Sequence, residues 1–426
     1  MYLTDVGIRN FRGIENVEFS FKPGINLLLG DNGVGKTSIL EAIATSLSGF
    51  MGGITGATAK GILQSDVRVS KAAMADASMQ LIHHTPVEID CTAVDTDVPS
   101  QWIRCREDEL GGTKTKTKIV SNSIVKYARK LANDENSTLP LLAYLSVRRI
   151  AAPRRADFGT ALAKKLDDRR CGYIGCLDDA LDFSAIKAWV LKMEMTAFQK
   201  EGKIAEYETF KNVISSVMKK MSELDEAPTV KWSRQWEDIV YVENEKELPI
   251  SYLSAGYQSL LWMTMNIAYR MALLNPGTDY LENTSGIVLI DELDMHLHPK
   301  WQWNILKTLE ESFPKIQFII ATHSPILISS CKSGQLIHID EKHLVRTMEK
   351  AYGYSIEDVV ELIQGSSGAP KQIKELLQQF EMAINCGDLV SANEFYAMMK
   401  REYGSENSHV KFAEEELMFG SYLIEE

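Results

Sequence analysis

Gly30-Asp-Asn-Gly-Val-Gly-Lys36-Thr37 fits G-x-x-x-x-G-K-S/T at every fixed position. What flanks it decides the fold. Upstream, "FSFKPGINLLLG" is a strand-like run entered through a Pro-Gly turn. Downstream, "TSILEAIATSLSGF" carries Ile39, Ile43 and Leu47 at helical spacing. Strand, glycine loop and helix follow in the order that lets backbone N–H groups and a helix N-terminus meet an anion. The stretch therefore predicts an α/β fold built around a phosphate loop. Gly30, Gly33 and Gly35 let the backbone curl, Lys36 reaches the β- and γ-phosphates, and Thr37 offers its hydroxyl to magnesium, with Asn32 and Ser38 in the same nucleotide-binding run.

A second run, "GIVLIDELD", places Asp291 and Glu292 at the carboxyl end of a buried strand, where open α/β sheets bind ligands. There Asp291 suits a magnesium ion through its bound water, and Glu292 suits polarising the attacking water. His323 ends a further apolar strand, "IQFIIAT", and a histidine so placed suits a γ-phosphate sensor. His296 and His298 in "HLHP", and Cys171 with Cys176, lack the partner ligands of a metal site and read as structural.

Composition bounds the rest. The 426 residues are 45% hydrophobic, enough for one large α/β domain with insertions, and six scattered cysteines with no secretory leader point to free thiols in a reducing cytoplasm. No apolar run approaches a membrane span. A net charge of −12 argues against a general nucleic-acid coat and leaves only local patches for DNA. These are "KTKTK" (Lys114 to Lys118) and Arg148, Arg149, Arg154 and Arg155; a solvated charged loop is the equal alternative.

Four segments are expected: a first ATPase lobe over 1–154, a mainly helical insertion over 155–245, a second lobe over 246–345 and a helical tail over 346–426. In the tail, Ile373, Leu376, Phe380 and Ile384 share one helical face and Gly387 is placed to stop the helix. "VSANEFYAMMKREYG" reads as the next helix. Phe380, Phe395 and Met398 are available there either for a core or for a partner. "LSAGYQSLL" (Leu253 to Leu261) gives a hydroxyl and an uncrowded backbone before an amphipathic helix, all suited to an anion.

"FRGI", "GDNGVGKTS", "LSAGYQSLL", "LIDELDMHLHPKWQ" and "ATHSP", in this order, resemble the ABC-type ATPases of the SMC, RecF and OLD group. The compact helical insertion, "HLHPKWQ" and the tail resemble most the bacterial anti-phage defence ATPases of the Septu (PtuA) type. The resemblance implies an ATP hydrolase with a largely parallel sheet, ATP and Mg2+ as ligands, and a homodimer or higher homo-oligomer. In it, Ser254 and Gly256 complete the nucleotide site of another subunit, Asp294 crosses the same interface, and Arg12 approaches the nucleotide. It further implies a separate effector, an HNH-type nuclease in Septu systems. One departure stands out: no glutamine follows the strand "LPLLAYL", where Tyr144 and Ser146 stand instead, so slow hydrolysis is expected. A DNA-repair ATPase that clamps DNA directly, a transporter ATPase subunit and a nuclease fused to its own ATPase are the rival readings. Ala255 in place of a second signature glycine and the short stretch after "THSP" weigh against the last two.

Overall fold

The computed structural model describes residues 1–73, 79–95, 98–116, 123–147, 168–179, 183–277, 284–348, 351–365, 371–405 and 407–422. They form two compact units, Met1–Gly353 and Tyr354–Glu426. The first unit opens with β1 (Tyr2–Phe11), β2 (Ile14–Ser20) and β3 (Ile25–Leu29), then α1 (Lys36–Met51). A hairpin of β4 (Arg68–Ala73) and β5 (Met79–His84) leads to β6 (Val87–Asp95), β7 (Val98–Arg106) and β8 (Lys114–Lys116). After α2 (Ile124–Asn133) and β9 (Leu141–Leu145) come α3 (Phe183–Gln199), α4 (Ala205–Ser222) and three short strands, β10 (Thr229–Ser233), β11 (Asp238–Glu243) and β12 (Lys246–Pro249). The unit closes with α5 (Ala255–Leu274), β13 (Gly286–Ile290), α6 (Pro299–Ser312), β14 (Ile316–Ala321), α7 (Pro325–Ser330), β15 (Gln335–Ile339) and β16 (Val345–Met348).

The central sheet has the order β16-β15-β3-β14-β13-β9 and is parallel except for β16. The largely parallel sheet expected from the alternating elements is therefore present. Every residue of β3, β9, β13 and β14 is buried, which is why these strands read as continuous apolar runs and not as alternating ones. A second, antiparallel sheet runs β2-β1-β6-β7-β8.

Helix α1 contacts β13 and β14 on one side and β1, β6 and β7 on the other, so two sheets enclose it. From Ala42 to Met51 all of its residues are buried. Small residues make this possible: a Cβ added at Gly49 would lie 3.2 Å from the Trp102 ring, whose Nε1 donates to Ser46 O at 2.9 Å.

One buried side chain ties the two sheets together at the end opposite the loop. Gln317 on β14 accepts from Leu3 N at 2.8 Å and donates to Leu3 O and Lys22 O, both at 2.9 Å. Replacing Gln317 by Leu strands these backbone groups, so the variant should lose about 2–4 kcal/mol of stability. Urea titration followed by far-UV circular dichroism measures it; a loss below about 0.5 kcal/mol would mean that other contacts hold the sheets.

The stretch expected as a helical insertion carries α3 and α4 and, in addition, the antiparallel sheet β10-β11-β12, which runs past residue 246. Its aromatic cluster packs Trp189 against Tyr207, Phe210 and, on α5, Tyr269. That packing corrects the expectation for α5. The helix is not amphipathic: every residue from Ser259 to Leu274 is buried, because β9 lies on one side and α4 and the insertion on the others.

In the second unit, α8 (Lys371–Asn385), α9 (Leu389–Tyr403) and α10 (Ser408–Tyr422) form a small bundle, one helix more than the sequence pattern suggested. Phe380, Ala392, Met399 and Val410 are its core, Leu376, Ile384 and Phe395 pack against them, and Met398 is exposed. Gly387 ends α8 with φ 74°, a conformation few other residues adopt.

Candidate nucleotide-binding site

Strand β3 delivers the chain to the carboxyl end of the central sheet and α1 leaves from it; Gly30 to Gly35 form the loop between, and Lys36 and Thr37 open the helix. Three of its glycines, Gly30, Gly33 at φ 91° and Gly35, have positive-φ backbone that side chains rarely adopt. Gly30 has φ 147° and approaches β15 so closely that an added Cβ would lie 2.4 Å from Ile339 O. Gly35, at φ 90°, is the residue that caps α1. Asn32 and Gly33 are exposed, and Ser38 is half-buried in the first helical turn.

Lys36 folds back over the loop. Its Nζ donates to Gly30 O at 2.8 Å and Asp31 O at 3.1 Å, and it lies 3.4 Å from Nδ1 of His323. Neighbouring strands supply the remaining groups: Asp291 and Glu292 directly follow β13, and His323 lies two residues past the end of β14. Thr37 Oγ1 donates to Asp291 Oδ2 at 2.9 Å, and His323 Nε2 lies 3.5 Å from Glu292 Oε1. The structure thus brings Lys36, Thr37, Asp291, Glu292 and His323 into one cluster, from three strand ends that are far apart in sequence.

Burial pushes the Lys36 ammonium below its ordinary range, while Glu292, Asp291, Asp31 and Asp294 oppose that shift. Burial, then the Lys36 charge, also lowers His323, favouring its neutral form. A neutral ring that accepts from Lys36 at Nδ1 carries its proton on Nε2, on the side of Glu292. Glu292 itself has φ 48°, which is left-handed backbone at a non-glycine residue and turns the chain sharply away from the strand end.

Asp294 follows in the same turn and accepts from the Thr322 hydroxyl, which in turn accepts from Ser324 N at 3.0 Å. Ser324 Oγ donates to Gln302 Oε1 on α6 at 2.6 Å. His323 is therefore bracketed by two residues tied to the Asp294 turn and to α6. Thr322 and Gln302 were missed by the sequence reading; adjacency to His323 and membership of "HLHPKWQ" were their signals.

Arg12, at φ 52°, donates through Nε to Asp66 Oδ1 at 2.8 Å and pairs with Glu41, one helical turn beyond Thr37. Burial works against its charge, but Asp66 and Glu41 more than offset it and hold the guanidinium cationic. Arg12 is thus held by Glu41 on the flank of α1 and by Asp66 in the turn before β4.

Ser254 stands at the N-terminus of α5, exposed, with no capping hydrogen bond from its side chain. Among the described residues no hydrogen bond joins Ser254 or Gly256 to residues 30–37 of the same chain. Gly256 instead packs on the Asp294 turn, where an added Cβ would lie 2.7 Å from His296 O. His296 serves that turn with φ 67°, and His298 caps α6, its Nδ1 accepting from Lys300 N at 3.2 Å. Both are accounted for by backbone structure.

The basic stretches give less. Lys114 and Lys116 both pair with Glu107, at 2.5 and 2.9 Å, and hold that carboxylate at about 2. Lys118, Arg148, Arg149, Arg154 and Arg155 lie outside the described residues. None of the six cysteines forms a disulfide with another described residue.

The donor chemistry at Thr37 and Asp291, one hydroxyl and one carboxylate at the open end of a sheet, fits magnesium, which takes few protein oxygens and keeps waters or phosphate oxygens for the rest. The neighbouring glycine loop, with a helix N-terminus behind it, fits a polyphosphate.

Comparison with known proteins agrees with this geometry. A model of the AAA domain matches residues 5–247, more than half of the chain, and one of the AAA domain, putative AbiEii toxin, Type IV TA system, matches 224–329. The Retron Vc95 probable ATPase of Vibrio cholerae serotype O1 biovar El Tor is 25% identical over 446 aligned positions, covering 90% of this chain and 84% of the relative. The Septu protein PtuA of Bacillus thuringiensis is 25% identical over 407, covering 90% of each. Among solved structures, the SMC head bound to the C-terminal winged-helix domain of ScpA is 15% identical with a TM-score of 0.48, over 83% of this chain and 96% of the other. The similarity to Septu ATPases expected from the motifs extends along most of the chain, and the chain belongs to the AAA domain family.

Proposed function

We propose that this chain binds Mg2+·ATP at sites completed between two copies of itself, hydrolyses it there, and uses the cycle to control a separate effector protein in defence against phage. The observation that carries the intersubunit part is the split within one chain. Lys36, Thr37, Asp291, Glu292 and His323 are assembled around the loop, while Ser254 and the N-terminus of α5 are exposed and not hydrogen-bonded to it. An exposed helix N-terminus with a serine hydroxyl is an anion site in need of an anion, and a second copy's bound γ-phosphate supplies one.

Each residue has a role in that reading. Lys36 exchanges its carbonyl partners for phosphate oxygens, which are stronger acceptors. Thr37 and Asp291 hold magnesium, which supplies Lewis-acid polarisation of the phosphates when bound. Glu292 accepts the proton of the attacking water, and His323, neutral and donating through Nε2, orients Glu292 and the γ-phosphate. Asp294 meets the partner across the interface, and its bond to Thr322 passes that contact to His323. Arg12 holds the flank of α1 and reaches the nucleotide only by exchanging an acidic partner.

Similarity to the Septu protein PtuA and to retron probable ATPases supports the defence setting; an HNH-type nuclease as the effector is what the motif resemblance implies. Among the described residues no cluster of three or more His, Cys, Asp or Glu side chains is placed to hold a metal of its own. The expected outcome is ATP hydrolysis by the purified chain without cleavage of DNA or RNA, and cleavage only when it is co-expressed and purified with the products of its neighbouring genes. Metal-dependent cleavage by the chain alone, surviving Lys36→Ala, would overturn the regulatory reading.

A further inference from the structure

Tyr144 lies one residue from the end of β9, the strand that pairs with β13, and its side chain is almost wholly buried, with 2% of the residue exposed. Yet its hydroxyl forms no hydrogen bond with any described residue. Leaving such a group unpaired costs about 1–3 kcal/mol, and a phenylalanine would pack the same space without that cost. The position explains what the hydroxyl faces. In the parallel register Tyr144 is opposite Leu289, and Asp291 follows two residues later, so the two side chains share one face of the sheet. That face meets α1, from which Thr37 donates to Asp291. Lys60 Nζ sits 5.6 Å from the centre of the tyrosine ring and, with the strand, holds it in place. Burial first, then the Asp291 and Glu41 charges, raise the phenol well above its ordinary range, so it remains a donor.

We propose that the Tyr144 hydroxyl is a positioning group of the metal site, donating a hydrogen bond to a water in the shell of a magnesium ion held at Thr37 and Asp291. The inference rests on the metal-dependent nucleotide site proposed above. Groups that orient a metal's ligands change metal affinity or activity by about 10- to 100-fold when removed. Tyr144→Phe removes one oxygen that bonds to no described residue, so the fold should be kept and the melting temperature without nucleotide should be unchanged or higher.

The test is binding of a fluorescent ATP analogue to the full chain and to Tyr144→Phe, each titrated with Mg2+ and, separately, in EDTA. The expected result is equal affinity in EDTA, with the Mg2+ concentration for half-maximal enhancement raised about tenfold in the variant. Equal Mg2+ dependence in the two proteins would overturn the role of Tyr144 while leaving the metal site standing. Binding to the unaltered chain that ignores Mg2+ would instead bring down the metal reading, and this inference with it. Weaker binding in EDTA as well would show Tyr144 to be a packing residue and overturn the proposal too.

Discussion

Lys36→Ala should abolish measurable ATP binding, whereas Glu292→Gln should leave binding intact and slow hydrolysis by about 10²- to 10⁴-fold, the contribution of a positioned general base. The two outcomes differ because the two side chains serve different states. Lys36 is the cation of the loop, and each charge-assisted bond it makes to phosphate is worth about 1.5–3 kcal/mol, so losing two costs affinity by a factor of about a hundred or more. Glu292 lies beyond Lys36 and His323, 3.5 Å from the imidazole, and needs its charge only when a proton leaves the attacking water. Glutamine keeps its shape and its left-handed backbone position. Equilibrium binding and single-turnover hydrolysis read the two effects separately, and unimpaired hydrolysis by Glu292→Gln would remove Glu292 from the chemistry.

Much of this site was legible in the sequence because its parts are set by backbone geometry. Gly30 and Gly35 occupy positive-φ positions that side chains rarely tolerate, and the apolar runs before Asp291 and His323 are strands covered on both faces. Contacts made between distant elements were not legible. Nothing local in the sequence says that Gln317 would clamp β1 to the central sheet, or that Thr322 would hold Asp294. The α5 pattern misled for the same reason: an amphipathic helix was expected there, yet even its polar residues Thr264, Asn266 and Arg270 are buried. Arg270 spends its charge on Asn266 and on the carbonyls of Gly172, Ile174 and Gly175. In the tail, Gly387 and the Phe380 face marked one helix, but α9 and α10 are recognisable as its partners only through the core they share.

The intersubunit site is tested most directly by mixing two inactive variants. Lys36→Ala removes the loop cation from one copy, and Ser254→Arg places a bulky cation on the exposed helix N-terminus of another, where the dipole disfavours it. Neither should hydrolyse ATP alone. In a mixed pair, one site combines both lesions and the other combines an intact loop with an intact α5 terminus. Random pairing of equal amounts should therefore restore roughly a quarter of the unaltered activity, since half of the pairs are mixed and each carries one working site. Mass measurement on differently tagged copies establishes that mixed pairs have formed. Recovery near that level is the predicted result; mixed pairs that form and remain inactive would contradict a site shared between subunits.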